Sequence, residues 1–427
     1  MDAKNIPKRT LVTMMNALSS GVVPRRGLEY IAVGRRKETE TFVSDLEDTA
    51  AGGGAFRFLS GRFGNGKSFM IQMVRNYAMD KRFVVMDADL AINRRLTGNR
   101  REGQNTFMEL IRNMAVRARP DGAAMELILQ NWLEEVAEDL SEDGNATDAM
   151  VEKEIRNRLS EISSMTFYQD FVRVLLEYRR SLSREDEDIP ALRWFKGEYT
   201  LKSEARKELG VSVIIDDGNW YDFVKLWAQF VRIAGYAGLV VFIDEGVILY
   251  KLPSKISRSN NYERLLTMFN DIMQGKSSYL SMYVCGTPDF IEDQNRGLYS
   301  YEALRSRLVA GRYENGYDNY LGPVINLRPL TKEEVYVLLC RLRDLYEQRN
   351  GTATGLSDED LEKYLKTVMT NSISAEMITP REITRDFISL MDTMRQNEGL
   401  TFDRLVNDRK VTPDINPDDI LFDDLEI

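Results

Sequence analysis

The sequence of 427 residues contains no histidine, and this absence excludes several common kinds of active site. Without imidazole the chain has no Ser-His-Asp triad, no histidine general base and no zinc site with histidine ligands. A general base in this protein is therefore expected to be a carboxylate.

Cysteine and long apolar segments are also scarce. Only Cys285 and Cys340 occur, both within apolar stretches, so we expect no disulfide framework and a reducing compartment, the cytoplasm. No stretch approaches the roughly 20 apolar residues of a transmembrane helix. Residues 1–10 are polar and basic and lack the apolar core of an export signal. These features predict a cytoplasmic protein that does not contact a membrane.

The charge is unevenly distributed along the chain. A net charge of −10 argues against a broadly basic nucleic-acid-binding protein. Residues 411–427 hold no basic residue and six acidic ones, namely Asp414, Asp418, Asp419, Asp423, Asp424 and Glu426. Because this acidic tail carries much of the excess negative charge, the composition is still compatible with a locally basic groove elsewhere in the protein.

The most specific motif is the glycine-rich segment at residues 59–68, which follows an apolar run and precedes a helical pattern. Its spacing is that of a phosphate-binding P-loop, which indicates ATP and Mg²⁺ as cofactors. The glycines let backbone N–H groups point at a phosphate, and the dipole of the following helix adds positive potential. We expect Lys67 to bind the β- and γ-phosphates and Ser68 to bind Mg²⁺. The predicted nucleotide-binding residues of the loop are Gly61, Arg62, Phe63, Gly64, Asn65, Gly66, Lys67, Ser68 and Phe69.

A second landmark is an apolar stretch that ends in Asp244 and Glu245. Such a continuous run is typical of a parallel strand covered on both faces, and ligand-binding residues follow the carboxyl ends of such strands. We expect Asp244 to be the Walker B acid that acts through Mg²⁺, and Glu245 to polarise the attacking water. A further predicted strand at residues 279–285 leads to Thr287, which would sense the γ-phosphate. A simple Thr-Pro turn is the alternative for this residue.

Strands and helices alternate along the chain, which predicts an α/β fold. The strands predicted at 55–59 and 83–86 flank the P-loop helix and form a βαβ unit, which favours a three-layer parallel sheet of the P-loop type. We predict an N-terminal helix with the first half of an ATPase core at 1–104 and an inserted helical subdomain at 105–210. The second half of the core follows at 211–330, a helical lid at 331–410 and the acidic tail at 411–427.

Capping signals mark two helix starts in the predicted lid. Thr331 with Glu334, and Thr379 with Glu382, have the spacing of capping boxes. The second start also carries Pro380 and places Arg381 in the first helical turn, where the helix dipole disfavours a cation. A contact with phosphate would explain an arginine at that position.

Together these landmarks resemble the AAA+ ATPases, with the origin-recognition and replication-initiator branch closest in layout. The resemblance implies that Gly34 and Arg35 belong to an adenine-side entry motif, that Thr287 is a first sensor and that Arg381 is a second sensor. The chain after the helix of Arg381 is too short for the winged-helix DNA-binding domain of origin-recognition proteins, so we expect no duplex binding by that route.

Two further arginines bear on assembly. Arg305 and Arg307 lie in a helical segment where AAA+ proteins often present an arginine finger to the γ-phosphate of a neighbouring subunit. The resemblance therefore implies a homo-oligomer in the presence of ATP. Because residues two apart on a helix point in different directions, only one of the two is expected to act as the finger, and pairing with surface acids is the alternative.

Five shorter stretches point to a more specific family: Gly21-Val22-Val23-Pro24, Asp87-Ala88-Asp89-Leu90, Arg94-Arg95-Leu96-Thr97-Gly98, Ala118-Arg119-Pro120-Asp121-Gly122 and Gly235-Tyr236-Ala237-Gly238-Leu239. These stretches resemble the ATP-binding protein family of BREX phage-defence systems. This likeness implies a cytoplasmic ATPase that acts beside a helicase in defence against foreign DNA.

Two functions follow as hypotheses. The first is an AAA+ ATPase that couples ATP binding and hydrolysis to assembly on DNA or on a DNA-processing partner. Its candidate contacts to the DNA backbone are Arg94, Arg95, Arg100 and Arg101, for which a solvated basic loop is the alternative. The second is a nucleotide-controlled scaffold that regulates a protein partner without contacting DNA.

Overall fold

The computed structural model describes residues 6–141, 147–184, 189–309, 319–370, 379–397 and 399–407. The acidic tail predicted at 411–427 lies outside these ranges. The first elements are α1 (Lys8–Ser19), α2 (Leu28–Ile31), α3 (Arg36–Ala50), β1 (Gly54–Ser60), α4 (Lys67–Asp80) and β2 (Val84–Asp89). The helices that follow are α5 (Glu102–Arg112), α6 (Met125–Ser141), α7 (Asp148–Leu159), α8 (Tyr168–Arg184), α9 (Pro190–Lys196), α10 (Lys202–Leu209) and α11 (Trp220–Ile233).

The second half of the chain continues the alternation of strands and helices and then becomes helical. Its alternating elements are β3 (Leu239–Asp244), α12 (Val247–Lys251), α13 (Lys255–Met273), β4 (Leu280–Gly286), α14 (Pro288–Glu292), α15 (Glu302–Leu308) and β5 (Val324–Asn326). The final helices among the described residues are α16 (Lys332–Asn350), α17 (Asp358–Thr370), α18 (Pro380–Gln396) and α19 (Phe402–Asn407).

The chain divides into two compact units. The P-loop unit comprises Met1–Thr39, Gly61–Met73 and Asn326–Ile427, and the sheet unit comprises Glu40–Ser60 and Val74–Ile325. Within the described residues each unit has its own hydrophobic core. The chain leaves the sheet unit at the last residue of β1 and enters the P-loop unit at the first glycine of the loop.

The sheet unit is built on a five-stranded sheet in the order β2-β3-β4-β1-β5. The pairs β2–β3, β3–β4 and β1–β4 are parallel. β4 is buried along its whole length and β3 is buried except at its last residue, which is the pattern of strands covered on both faces. The prediction of an α/β fold is confirmed.

The strand order determines which residues meet at the carboxyl edge of the sheet. Asp89 at the end of β2 lies opposite Asp244 at the end of β3. β4 lies between β3 and β1 in the sheet. Thr287 directly follows β4, so it lies at the same edge, between the acids at the end of β3 and the end of β1. Parallel sheets bind their ligands at this edge.

The helices between β2 and β3 share one core with the sheet. The chain has four tryptophans, and all of them are buried in this core. The ring of Phe171 meets Trp227 and Phe230 at centroid distances of 5.8 and 5.4 Å. Apolar burial on this scale stabilises the sheet and the helices together, because each covers the other's apolar surface.

The P-loop unit is helical. α1 packs on α16 and α18, and their apolar side chains form the second core. Both predicted capping boxes are present: the Thr331 N–H donates to Glu334 Oε2 at 2.8 Å, and the Thr379 N–H donates to Glu382 Oε2 at 2.9 Å. These caps fix the starting points of α16 and α18.

A buried ion pair holds β1 in the sheet unit. Arg57 of β1 donates from Nη2 and Nε to the two carboxylate oxygens of Asp45, at 2.5 and 2.6 Å. It also donates from Nη1 to the carbonyl oxygens of Leu321 and Gly322, just before β5. Burial raises the pKa of Asp45, although Arg57 opposes the shift.

We predict that Arg57→Met lowers the free energy of unfolding by about 3–5 kcal/mol, because it leaves the buried Asp45 carboxylate unpaired. Burial places the pKa of Asp45 above its unfolded value, so stability should recover as pH falls through the folded-state pKa and the carboxyl takes up a proton. Denaturant unfolding at several pH values measures both effects. The control is Arg57→Met with Asp45→Leu, which removes both charges and should recover most of the loss. An equal loss in the single and double variants would contradict the explanation.

Candidate functional site

The predicted P-loop has the backbone that a phosphate cradle requires. Gly64 and Gly66 adopt left-handed conformations, with φ of +77° and +92°. The loop ends in α4, whose first residue is Lys67 and whose first turn, all of it described, holds no acidic residue. The N–H groups of the first turn and the positive end of the dipole make a helix start of this kind suit an anion.

The side chain of Lys67 lies over its own loop. Its Nζ donates to the carbonyl oxygens of Gly61 and Arg62 at 2.6 and 3.1 Å, and it lies 5.0 Å from the centroid of the Phe63 ring. These contacts hold the ammonium charge against the loop backbone. Ser68 is the second residue of α4 and is exposed.

Other parts of the P-loop unit contact the loop at Asn65, Gly64 and Phe69. Asn65 is buried; its carbonyl oxygen accepts a hydrogen bond from Arg35 Nη2 at 3.0 Å, and its Nδ2 donates to the carbonyl oxygen of Leu327 at 3.3 Å. A Cβ added to Gly64 would come within 2.4 Å of the Thr379 side chain, so the loop lies directly against the cap of α18. Phe69 packs against the core of the unit.

The remaining predicted residues of this unit lie near helix starts. Gly34 has φ of +69°, and a Cβ there would come within 2.5 Å of the Glu334 carboxylate. Arg381 is exposed in the first turn of α18, and its aliphatic stem lies beside Gly21. The structure therefore brings the predicted adenine-side motif, the P-loop and the starts of α16 and α18 into one unit.

In the sheet unit, the acid after β3 has an unusual backbone. Glu245 adopts a left-handed conformation with φ of +57°, and its N–H donates to Asp244 Oδ1 at 2.8 Å. This conformation costs about 1–2 kcal/mol for a residue with a Cβ. Such strain is concentrated at functional sites, so the observation favours a functional role for this position.

Asp89 is a third carboxylate at this edge, and the sequence reasoning assigned it no role. Burial, followed by the charges of Asp244 and Asp87, raises its pKa. Its position could have indicated a role at the site, because Asp89 is the last residue of β2 just as Asp244 is the last residue of β3. Among the described residues, no three acidic or cysteine side chains are arranged to hold a metal ion by themselves. A pair of carboxylates such as Asp89 and Asp244 fits Mg²⁺, which commonly takes one or two carboxylates and completes its shell with phosphate oxygens and water.

Thr287 is buried and caps a short helix. Its Oγ1 accepts a hydrogen bond from the Phe290 N–H at 3.3 Å at the start of α14, where Pro288 is the first residue. The Thr-Pro turn considered as an alternative is thus present. The hydroxyl can still donate its own proton to another group while it accepts this bond.

The two finger candidates on α15 differ in their contacts. Arg307 donates from Nε to Asn270 Oδ1 at 2.9 Å and from Nη1 to the Ala303 carbonyl oxygen at 2.6 Å. The side chain of Arg305 is exposed and makes no hydrogen bond or ion pair within the described part of the chain. Among those residues, the Arg305 guanidinium is thus the less constrained of the two.

The four arginines proposed to contact DNA also separate into two kinds. Arg95 pairs with Glu102 and donates to Ser257 Oγ, while Arg94 pairs with Glu109 at 3.3 Å and lines a cavity of about 490 Å³. Arg100 and Arg101 are exposed. The structure thus gives the first two an internal role and leaves the second two accessible.

Comparison with known proteins agrees with the motifs. A family model described as BREX system ATP-binding protein BrxC/D matches residues 6–410. No curated protein matches the chain at a significant level. In the ranges that the structure describes, no helix is long and apolar enough to cross a bilayer.

We predict that Gly64→Ala weakens nucleotide binding and lowers stability, since the new Cβ would displace the cap of α18 in addition to straining the backbone. Gly351→Ala is the matched control, because Gly351 has a similar φ of +70° and open space around its Cα. The control should lose only the conformational cost of about 1–2 kcal/mol. Thermal unfolding and titration with ATP measure the difference, and equal effects of the two variants would show that the contact with Thr379 is unimportant.

Proposed function

This chain belongs to the BREX system ATP-binding protein family, and we propose that it is an ATPase that couples ATP binding and hydrolysis to assembly on DNA or on a DNA-processing partner. Family membership gives it an ATP-binding role in phage defence. The observation that carries the rest of the proposal is the P-loop, with two left-handed glycines directly before a helix that starts at Lys67.

We further propose that the fold is a three-layer sheet of the AAA+ type, with a helical insertion at 105–210 and a lid at 331–410. Two observations support this. β4 lies between the P-loop strand β1 and the acid-bearing strand β3, as a strand leading to a sensor residue would. The two capping boxes give the predicted lid helices defined starts, and one of them lies against the P-loop.

The proposed reaction is attack of water on the γ-phosphorus, which forms a bond from the water oxygen and breaks the bond to the β-phosphate oxygen. ADP and inorganic phosphate are the products. Lys67 binds the β- and γ-phosphates, and Glu245 accepts the proton of the attacking water. Thr287 donates a hydrogen bond from its hydroxyl to the γ-phosphate, and Arg381 acts as the second sensor. When bound, Mg²⁺ supplies positive charge that neutralises the phosphates, with Ser68 and Asp244 as the residues that hold it.

For assembly, we propose that ATP promotes a homo-oligomer in which Arg305 acts as the finger. A guanidinium stabilises the charge that spreads over the transferring phosphoryl oxygens. Both arginines are exposed, but the Arg307 side chain is held by Asn270 and the Ala303 carbonyl oxygen, whereas that of Arg305 makes no such bond within the described ranges, and this supports the choice of Arg305. A helicase as the working partner, and the cytoplasm as the location, follow from the family resemblance.

Two observations support the alternative function, that of a scaffold. A nucleotide-controlled scaffold that regulates a protein partner would not require a DNA-binding surface. The net charge of −10 and the pairing of Arg94 and Arg95 with acids favour this alternative. The two functions differ in whether DNA changes the rate of ATP turnover.

We predict that Lys67→Ala and Glu245→Gln separate binding from turnover. Lys67→Ala should abolish or strongly weaken ATP binding, because it removes the point charge that faces the β- and γ-phosphates. Glu245→Gln should bind ATP normally but hydrolyse it at least about 10²-fold more slowly, because an amide cannot accept the proton. Equilibrium titration and single-turnover hydrolysis measure these effects. Wild-type affinity in the first variant, or wild-type hydrolysis in the second, would remove that residue's assignment.

We predict that duplex DNA stimulates ATP turnover and that Arg100→Gln with Arg101→Gln reduces the stimulation. These exposed guanidinium groups can neutralise about two phosphates, so the slope of log K against log salt should fall by about 1–2. Arg117→Gln is the control, since Arg117 is an arginine of the sheet unit with 77% of its side chain exposed. If DNA leaves turnover unchanged while ATP still controls binding of a protein partner, the scaffold function is the correct one.

A further inference from the structure

Arg35 makes its contacts with the backbone of the P-loop unit. The residue lies just before α3 and is only 8% exposed. Its Nη2 donates to the carbonyl oxygen of Asn65 at 3.0 Å and to that of Arg328 at 2.8 Å. Its Nη1 donates to Glu38 Oε1 at 3.2 Å. One guanidinium thus joins the P-loop, the segment after β5 and the first turn of α3.

The chemistry of this arrangement depends on arginine. A buried cation is costly unless it is paired and hydrogen-bonded, and here the carboxylate of Glu38 supplies the countercharge with a side chain that is 6% exposed. Hydrogen bonds from a charged donor are roughly twice as strong as neutral ones. The planar fork holds its acceptors in fixed directions, which the single ammonium of lysine cannot reproduce.

The bond to Asn65 also determines the direction of a neighbouring N–H group. The carbonyl of Asn65 and the N–H of Gly66 belong to one peptide group, which is planar and, like every described peptide bond, not cis. In a trans peptide these two groups point in opposite directions. When Arg35 fixes the direction of the carbonyl, it also fixes the Gly66 N–H in the opposite direction, away from Arg35, and a cradle of loop N–H groups for phosphate would form on that side.

Two further contacts prevent this arrangement from shifting as a whole. The Asn65 side chain donates to the Leu327 carbonyl oxygen, next to the Arg328 carbonyl that Arg35 holds. On the other side, Gly34 lies directly against the carboxylate of Glu334, which is itself fixed by the capping box of α16. The segment of Gly34 and Arg35 therefore has a defined position relative to both the loop and the start of α16.

We propose that Arg35 is a positioning residue that acts on the bound triphosphate through the Asn65–Gly66 peptide group and makes no selective contact with the base. This inference rests on the proposed function, because it concerns the same nucleotide site. It differs from the adenine-side role that the family resemblance implies for this residue. A base contact would affect the choice of nucleotide, whereas an oriented Gly66 N–H affects every ligand that carries the same phosphates.

The test compares ligands that share a triphosphate and differ in the base. Calorimetric titrations of the whole protein with ATP, GTP and inorganic triphosphate give the affinities of the wild type, Arg35→Lys and Arg35→Ala. We expect both variants to lose about tenfold or more in affinity, by the same factor for each ligand that the wild type binds. The ratio between ligands should stay at the wild-type value. Arg26→Lys and Arg26→Ala are the controls, since Arg26 is an exposed arginine of the same unit.

Folding is monitored by thermal unfolding and by hydrogen exchange of the amide at Gly66. If Arg35→Ala does not fold, Arg35→Lys decides, because it keeps the charge and most of the side-chain volume. A loss confined to ATP, or wild-type affinity in Arg35→Lys, would overturn the proposal. These results differ from failure of the proposed function, in which the wild-type protein itself would not bind ATP.

Discussion

A loop rich in glycine can form a phosphate cradle only if something else restricts its backbone. Glycine allows the left-handed conformations at residues 64 and 66, but it also gives the unbound loop more states to lose on ordering. In this protein the restriction comes from outside the loop. The Arg35 guanidinium and the Leu327 carbonyl both contact Asn65, and the cap of α18 lies against Gly64. The rigidity of the site is therefore a property of the packing around the motif.

In the sheet unit, acidic groups lie at the carboxyl end of a buried, largely apolar sheet. β3 and β4 are buried nearly throughout, and the acidic residues Asp244 and Glu245 lie at and just after the carboxyl end of β3. The parallel register places the last residue of β2 opposite that of β3, so two carboxylates are adjacent. Partial burial, and after it the repulsion from Asp244 and Asp87, raises the pKa of Asp89. A site of this kind is expected to favour a ligand that brings positive charge.

Much of this fold could be predicted from local pattern. β3 is a continuous apolar run up to Asp244, and the caps at Thr331 and Thr379 are short-range motifs whose residues lie close together in sequence. The partners of Arg35 could not be predicted in this way, since Arg328 is 293 positions away. The same limit applies to Arg95, whose contact with Ser257 spans 162 positions. The sequence shows where the arginines are, but only the fold determines whether an acidic side chain or solvent faces each of them.

The backbone at Glu245 has a consequence for attempts to make this protein more robust. A left-handed residue with a Cβ is a natural target for replacement by glycine, which removes a conformational cost of about 1–2 kcal/mol. Here that gain would remove the carboxylate proposed to accept a proton from water. Screens for thermal tolerance alone would therefore be expected to select against turnover at this position, so stability and activity have to be selected together.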